Sequence, residues 1–259
     1  MATERDPFDP RCAAFYCRAM ELLHEAKVPF MVGGAFALAR HAGVSRFTKD
    51  FDIFIRPSDA ERAIGAFAAA SYRTELTAPY WIAKAFHEDL FVDLIWSSGN
   101  GVATVDDEWF DHATEDEVLG MPSLLVPAEE MIWQKAYIME RERFDGADVL
   151  HVIHARAEEL DWDRLMRRFA DHWHVLLAHL VLFGFAYPTE RHRVPERVMR
   201  ELVARLERDM SRAHDGDHVT QATLLSRYQY VDDVGTGKYK DARLLPPADL
   251  TDGDIEECA

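Results

Sequence analysis

Three short stretches in the first hundred residues carry the residue types that phosphate chemistry needs: Gly33-Gly34, Asp50-Phe51-Asp52 and Asp93. Side chains two apart in an extended strand point to the same side, so Asp50 and Asp52 project together. Asp93 stands at the centre of an apolar run, Phe91-Val92-Asp93-Leu94-Ile95, and shares a face with Phe91 and Ile95. An acid in such a run needs either water or a partner. If its strand lies beside Phe51–Ile55, three carboxylates converge, and their mutual repulsion calls for a divalent cation with oxygen ligands. Two such ions about 3.5–4 Å apart clamp an in-line phosphoryl displacement. The glycine pair, having no Cβ, lets backbone N–H groups come close to a phosphate.

Each piece also has a plainer reading. Asp-x-Asp occurs at 50/52, 161/163, 215/217 and 252/254. The last two flank glycine and read as turns, and the second reads as a helix start. Only Asp50/Asp52 precedes a strand-like apolar run, and taken alone it also suits a solvated strand edge. A Gly-Gly pair by itself fits any tight turn. What favours a metal site is the order of the three pieces, each in its strand context.

The elements that must position them follow from hydrophobic periodicity. Residues 10–27 place Phe15, Ala19, Leu22 and Leu23 at helical spacing. Val28 to Val32 reads as a buried strand running into the glycine turn, and 35–43 as a short helix closed by Gly43. Phe51 to Ile55 is a strand that Pro57 stops. Ser58-Asp59-Ala60-Glu61 fits a capping box that opens a helix to about Ala70. Strands are expected at Tyr72–Leu76, Trp81–Phe86 and Leu90–Trp96, the last two separated by the turn-like His87-Glu88-Asp89. This order predicts a small mixed sheet rather than a repeated βαβ barrel.

Beyond about residue 120 the pattern predicts almost only helices. Pro127-Ala128-Glu129-Glu130 opens one to about Phe144, Asp145 begins another to about Glu159, Asp161 to Phe185 holds one or two more, and Pro195 starts one to about Ala213. The domains expected are a core over 1–118, a helical domain over 119–213 and an irregular acidic arm over 214–259.

Composition narrows the partners. Lys and Arg total 29 against 46 Asp and Glu, a net charge of −17 that argues against extended nucleic-acid binding. It leaves room for a small anionic substrate held through cations, because a site's field is local. Three cysteines, Cys12, Cys17 and Cys258, make no disulfide framework, and the charged, Pro-containing start is no signal peptide. The most apolar run, Val175 to Ala186, is broken by His179 and too short to span a bilayer. The expectation is a cytoplasmic protein without a membrane segment. His151/His154 and His172/His174 lack a third ligand at zinc spacing and read as exposed or core histidines. In the helix after Pro195, Val198, Leu202, Val203, Leu206 and Met210 form one face. Arg193, Arg197, Arg200, Arg208 and Arg212 gather opposite and read as a solvated face.

The run VGGAFALARHAGVSRFTKDFDIFI, followed by FVDLI, resembles the polymerase-β-like nucleotidyltransferase superfamily. The lead-in Arg46 to Asp50 is similar to a bacterial branch that includes AbiEii-type toxins and many uncharacterised nucleotidyltransferases. MIWQKAYIMERERFDGADVLHVI, residues 131–153, is similar to the helical segment that follows the core there. The resemblance covers roughly residues 15–155. It implies an α+β fold, a small mixed sheet flanked by helices and followed by an α-helical C-terminal domain. It also implies Mg²⁺-dependent transfer of a nucleoside monophosphate from a nucleoside triphosphate to an acceptor hydroxyl on a small molecule, a protein or an RNA end. The alternative is a non-catalytic member that binds nucleotide or protein, including one within a toxin–antitoxin pair.

By the same resemblance, Asp50 and Asp52 bind Mg²⁺ on the triphosphate, and Asp93 shares a metal and acts as base toward the acceptor. Gly33 and Gly34 form the phosphate-facing turn, with Gly34 standing where many relatives carry Ser. Thr48 and Lys49 in the lead-in, and Lys135 in the later helix, are implied to contact the triphosphate. Lys135 has no acid four residues away to pair with it. Arg143, Asp145 and Asp148 suit either that site or a role as helix-boundary charges.

Overall fold

The computed structural model describes residues 10–45, 50–211 and 218–256. The chain forms two compact units, Met1–Pro127 with Leu250–Ala259, and Ala128–Asp249.

The first unit runs α1 (Pro10–Glu25), β1 (Met31–Val32), α2 (Gly34–Ala42), β2 (Asp52–Phe54), α3 (Ala60–Ala69), β3 (Arg73–Ala78), β4 (Ile82–His87), β5 (Leu90–Ile95), α4 (Asp107–Asp111), β6 (Thr114–Val118) and β7 (Met121–Leu125). Its mixed seven-stranded sheet has the order β3-β4-β5-β2-β1-β7-β6. β5 lies parallel to β2, β4 antiparallel to β5, and β1 antiparallel to β2. Phe51, Ile53, Val92 and Leu94 are fully buried on one face, where α1 and α3 pack. Tyr16 of α1 stacks on Phe51 with ring centroids 4.6 Å apart. Phe15, Ala19, Leu22 and Leu23 are buried, as the helical spacing requires. Strand alternation then turns Asp52 and Asp93 to the opposite face, where Phe54 stacks on Trp109 of α4.

Two local expectations give way. The almost wholly helical stretch expected beyond about residue 120 starts later, because 114–125 is a hairpin turned at Leu119 and Gly120, both at positive φ. Its second strand, β7, pairs in parallel with β1 through Met31↔Leu124 and Val32↔Leu125. The acidic run Glu115-Asp116-Glu117 is tolerated because β6 is the sheet's edge. Ser58 to Glu61 forms no capping box either. Pro57–Asp59 is a 3₁₀ turn, and Asp59 bonds Arg62 at 2.6 Å rather than capping α3.

The second unit packs α5 (Ala128–Ala136), α6 (Gly146–Arg156), α7 (Trp162–Phe169), α8 (Trp173–Ala186) and α9 (Glu196–Met210). The helix expected to reach Phe144 stops at Ala136. Residues 137–145 instead close a loop through the bridge Met139↔Phe144. Asp161 accepts from the Asp163 and Arg164 N–H groups at the start of α7, which settles that Asp-x-Asp pair as a cap. On α9 only Val198 and Leu202 are buried, whereas Met210 of the expected apolar face is 78% exposed. Arg197 pairs with Asp163, Arg200 with Glu196 and Arg208 with Glu201.

The stretch Trp162–Ala186 is long and apolar enough to cross a membrane by length and composition alone. Its Arg164, however, is buried between Glu129 and Glu130, which is the arrangement of a core helix. After 218, β8 (Val219–Thr220), α10 (Val231–Gly235) and β9 (Lys240–Asp241) join this unit. Glu140 accepts there from the Arg227 N–H, and Asp241 from Thr223 and Arg243. The last pair of that kind, Asp252/Asp254, lies in α11 (Asp252–Glu256) and not in a turn, and Asp215/Asp217 fall outside the described residues.

Candidate active site

The acids are set by register. Asp52 is the direct partner of Asp93 across the parallel β2–β5 ladder, and the Asp93 N–H donates to the Phe51 carbonyl at 2.9 Å. Direct partners share a face, so the two carboxylates stand side by side on the sheet. Asp50 precedes β2 by two residues and is near enough to raise the Asp93 carboxyl electrostatically. On the other side of β2, the Gly33 N–H donates to the Asp52 carbonyl at 2.9 Å.

The glycine turn has a specific steric cause. Gly34 has φ +53, and a Cβ there would come within 1.7 Å of Asp52 Oδ2. A Cβ on Gly33 would meet the Phe54 ring at 2.2 Å. The Asp52 carboxylate therefore rests against the first residue of α2, where the positive end of the helix favours an anion. A serine at 34 does not fit this packing unless Asp52 moves.

Sequence reading missed the cation in the row. Lys84, on β4, is the direct antiparallel partner of Asp93, and its Nζ donates to Asp93 Oδ1 at 2.5 Å. The turn expected at His87-Glu88-Asp89 would set Lys84 opposite Val92. The actual turn is the two residues Glu88-Asp89, with His87 opposite Leu90, and that one-residue difference brings Lys84 to Asp93. Lys84–Asp93–Asp52 thus form one lateral row over three strands. Burial pushes the Asp93 carboxyl up from its ordinary range, Lys84 pulls it down and Asp50 adds upward. Tyr16 is pushed up to about 12 by burial first, then by Cys12, Asp50, Asp52 and Asp93.

The oxygen donors suit a hard divalent cation in kind. As placed, they do not form a standing ion site: among the described residues, no three His, Cys, Asp or Glu side chains are gathered closely enough to hold a metal ion. Thr48 and Lys49 lie outside the described residues. Lys135, on α5, is paired after all, by acids from α6 and its approach rather than from its own helix. Its Nζ donates to Asp145 at 2.7 Å and to Asp148 at 2.9 Å, and Arg143 also holds Asp145. Burial raises Asp145, but Arg143 and Lys135 together hold it below the ordinary carboxylate range.

The site is thus a mixed sheet with an acid pair across its parallel ladder and a glycine turn opening a helix beside it. Residues 13–172 match the family described as a nucleotidyl transferase of unknown function (DUF2204), and the chain belongs to that family. No curated protein matches it in sequence. Among solved structures it is similar to the antibiotic-resistance factor ANT(2'')-Ia, with 17% identity over 66% of this chain and 98% of that one, at a TM-score of 0.46. It is also similar to the lincosamide antibiotic adenylyltransferase LnuA in its lincomycin-bound form, with 16% identity over 54% of this chain and 94% of that one, at a TM-score of 0.39.

Proposed function

We propose that this nucleotidyltransferase moves a nucleoside monophosphate from a nucleoside triphosphate to an acceptor hydroxyl, releasing pyrophosphate. The observation that carries the reading is the pairing of Asp52 with Asp93 on one sheet face, directly beside the Gly34 turn. The triphosphate docks at the start of α2, beside the Gly33-Gly34 turn, where the positive end of the helix favours an anion; the Gly33 N–H itself is committed to the Asp52 carbonyl. Asp93, raised by burial, takes the acceptor's proton. The freed oxygen bonds the α-phosphorus as the bond to the β-phosphate bridging oxygen breaks, and the electron pair leaves with pyrophosphate.

Mg²⁺ is the counter-charge that Asp50, Asp52 and Asp93 would hold in this reading, and it would neutralise the triphosphate. Thr48 and Lys49 are proposed phosphate contacts, whereas Lys135, held by Asp145 and Asp148, has no part in the step. The −17 charge favours a small-molecule or protein acceptor over a long nucleic acid.

The test is pyrophosphate release from each of the four ribonucleoside triphosphates with Mg²⁺ and a panel of hydroxyl acceptors. Asp52→Asn and Asp93→Asn should each lower turnover by about 100-fold or more while the melting temperature stays near that of the wild type. Equal, acceptor-independent rates in all three proteins would sink the proposal and leave the non-catalytic binding role.

A further inference from the structure

Lys84 enters the acid row from the side opposite Asp52. β5 has β4 on one flank and β2 on the other, and the Asp93 carboxylate commits Oδ1 towards β4. The Lys84 ammonium is held a second way, 4.2 Å from the centroid of the Phe91 ring. Phe91 is on the same strand face as Asp93, so carboxylate and aromatic ring together fix the ammonium at the row. The Lys84 side chain stays 24% exposed while that of Asp93 is 8% exposed. A partly exposed ammonium on a four-carbon stem is a point charge that can swing to a new partner.

This arrangement gives a physical reason why the carboxylates are not gathered around an ion. An ammonium in contact with Asp93 neutralises part of the charge a divalent cation would seek, and it repels the cation at short range. A triphosphate reverses both effects, because it brings its own negative charge to the cation and offers Lys84 another anion.

We propose that Lys84 is the resident counter-ion of Asp93, and that it keeps the acid row from holding a free divalent cation. Asp93 joins Asp50 and Asp52 around a cation only when the cation arrives on a triphosphate and Lys84 transfers from Asp93 to phosphate oxygen. Lys84 is thus a positioning residue acting through Asp93. The inference rests on the reading of Asp50, Asp52 and Asp93 as the nucleotide site.

The experiment titrates Mn²⁺ alone into the full chain at about pH 8 and follows the paramagnetic signal of the free ion. The wild type should bind Mn²⁺ no tighter than about 1 mM. Lys84→Gln should bind it at least about tenfold tighter, Lys84→Arg as weakly as the wild type, and the double variant Lys84→Gln with Asp93→Asn should lose the gain. A non-hydrolysable nucleoside triphosphate should bring tight Mn²⁺ binding to the wild type. Clearly submillimolar binding of Mn²⁺ alone by the wild type or Lys84→Arg overturns the proposal, as does a Lys84→Gln variant that binds no tighter. Should Lys84→Gln fail to fold, the titrations of the wild type with and without the triphosphate and of Lys84→Arg still decide. Failure of the underlying nucleotide-site reading looks different: no triphosphate binds with or without Mn²⁺, while the gain in Lys84→Gln remains.

Discussion

Two buried acids, Asp93 in the sheet unit and Glu130 in the helical unit, have the same problem and different solutions. Burial pushes both carboxyls upward, and basic neighbours pull both down. Glu130 is fully buried and has both oxygens held by guanidinium groups, Arg164 at 3.0 and 3.1 Å and Arg168 at 3.0 Å, with Glu129 bound to the same Arg164. Three charge-assisted bonds from two arginines hold it in one orientation and tie α5 to α7. Asp93 instead has one oxygen on one lysine, whose side chain is partly exposed. The first is a cross-link between helices. The second is a contact that can be exchanged, and this is the difference expected between a charge kept for the fold and one kept for chemistry.

Neutralising each acid should separate the two most strongly. Glu130→Gln should lose about 3–5 kcal/mol in denaturant unfolding, because Arg164 and Arg168 lose the buried carboxylate they share, although Arg164 keeps Glu129. Asp93→Asn should lose no more than about 1–2 kcal/mol, since Lys84 can turn to water. Equal losses would break the comparison.

The next effect concerns the glycines of α2. Gly34 and Gly43 both sit at positive φ, +53 and +67, but only Gly34 has a side chain in the way; nothing lies within 4 Å of a Cβ on Gly43. Gly43→Ala should therefore cost the left-handed penalty of about 1–2 kcal/mol. Gly34→Ala should cost that much, displace Asp52 and lower turnover as well. A Gly34→Ala protein with full activity would show that the Asp52 position is not critical.

The smallest effect is one of pH and belongs to the helical unit. Burial holds the His172 and His179 imidazoles below their ordinary value, against an upward pull from Asp171 on the first and the Ala136 carbonyl on the second. As pH falls through about 6.5 the unfolded chain takes up these protons before the folded one does. Their contribution is therefore complete above that value and is lost as pH drops towards the depressed folded-state values, by about 1 kcal/mol per pH unit and group. His179→Gln should flatten the part due to His179 in unfolding curves taken across that range.

Local pattern made some of this legible. FDIFI and FVDLI are short runs rich in aromatic and β-branched residues with one acid each, which reads as strand, and two-residue spacing along them gave the neighbours that share a face with each acid. Helix α1 was readable because Phe15, Ala19, Leu22 and Leu23 all face inward. β7 was not, because five residues containing Pro122 carry little strand signal and the parallel partner, β1, is two residues long and far away in sequence. The stop at Ala136 was hidden by the apolar run that follows it, Tyr137-Ile138-Met139. Lys135 looked unpaired because its acids come from across a loop rather than from one helical turn away. Long-range pairing decided each of these.

The register of the acid row also implies an order of events during synthesis and refolding. Lys84 and Asp93 are nine residues apart in one hairpin, whereas Asp52 reaches Asp93 only after α3, β3 and β4 have been laid down between them. Hairpins close in about 1–10 μs, and parallel pairings wait for their crossovers. Asp93 should therefore meet its opposite charge before it meets its like charge, so the nascent sheet never has to bring two bare carboxylates together. Pulse-labelled hydrogen exchange should find the β4–β5 amides protected before the Asp93 N–H, whose acceptor is the Phe51 carbonyl on β2's side.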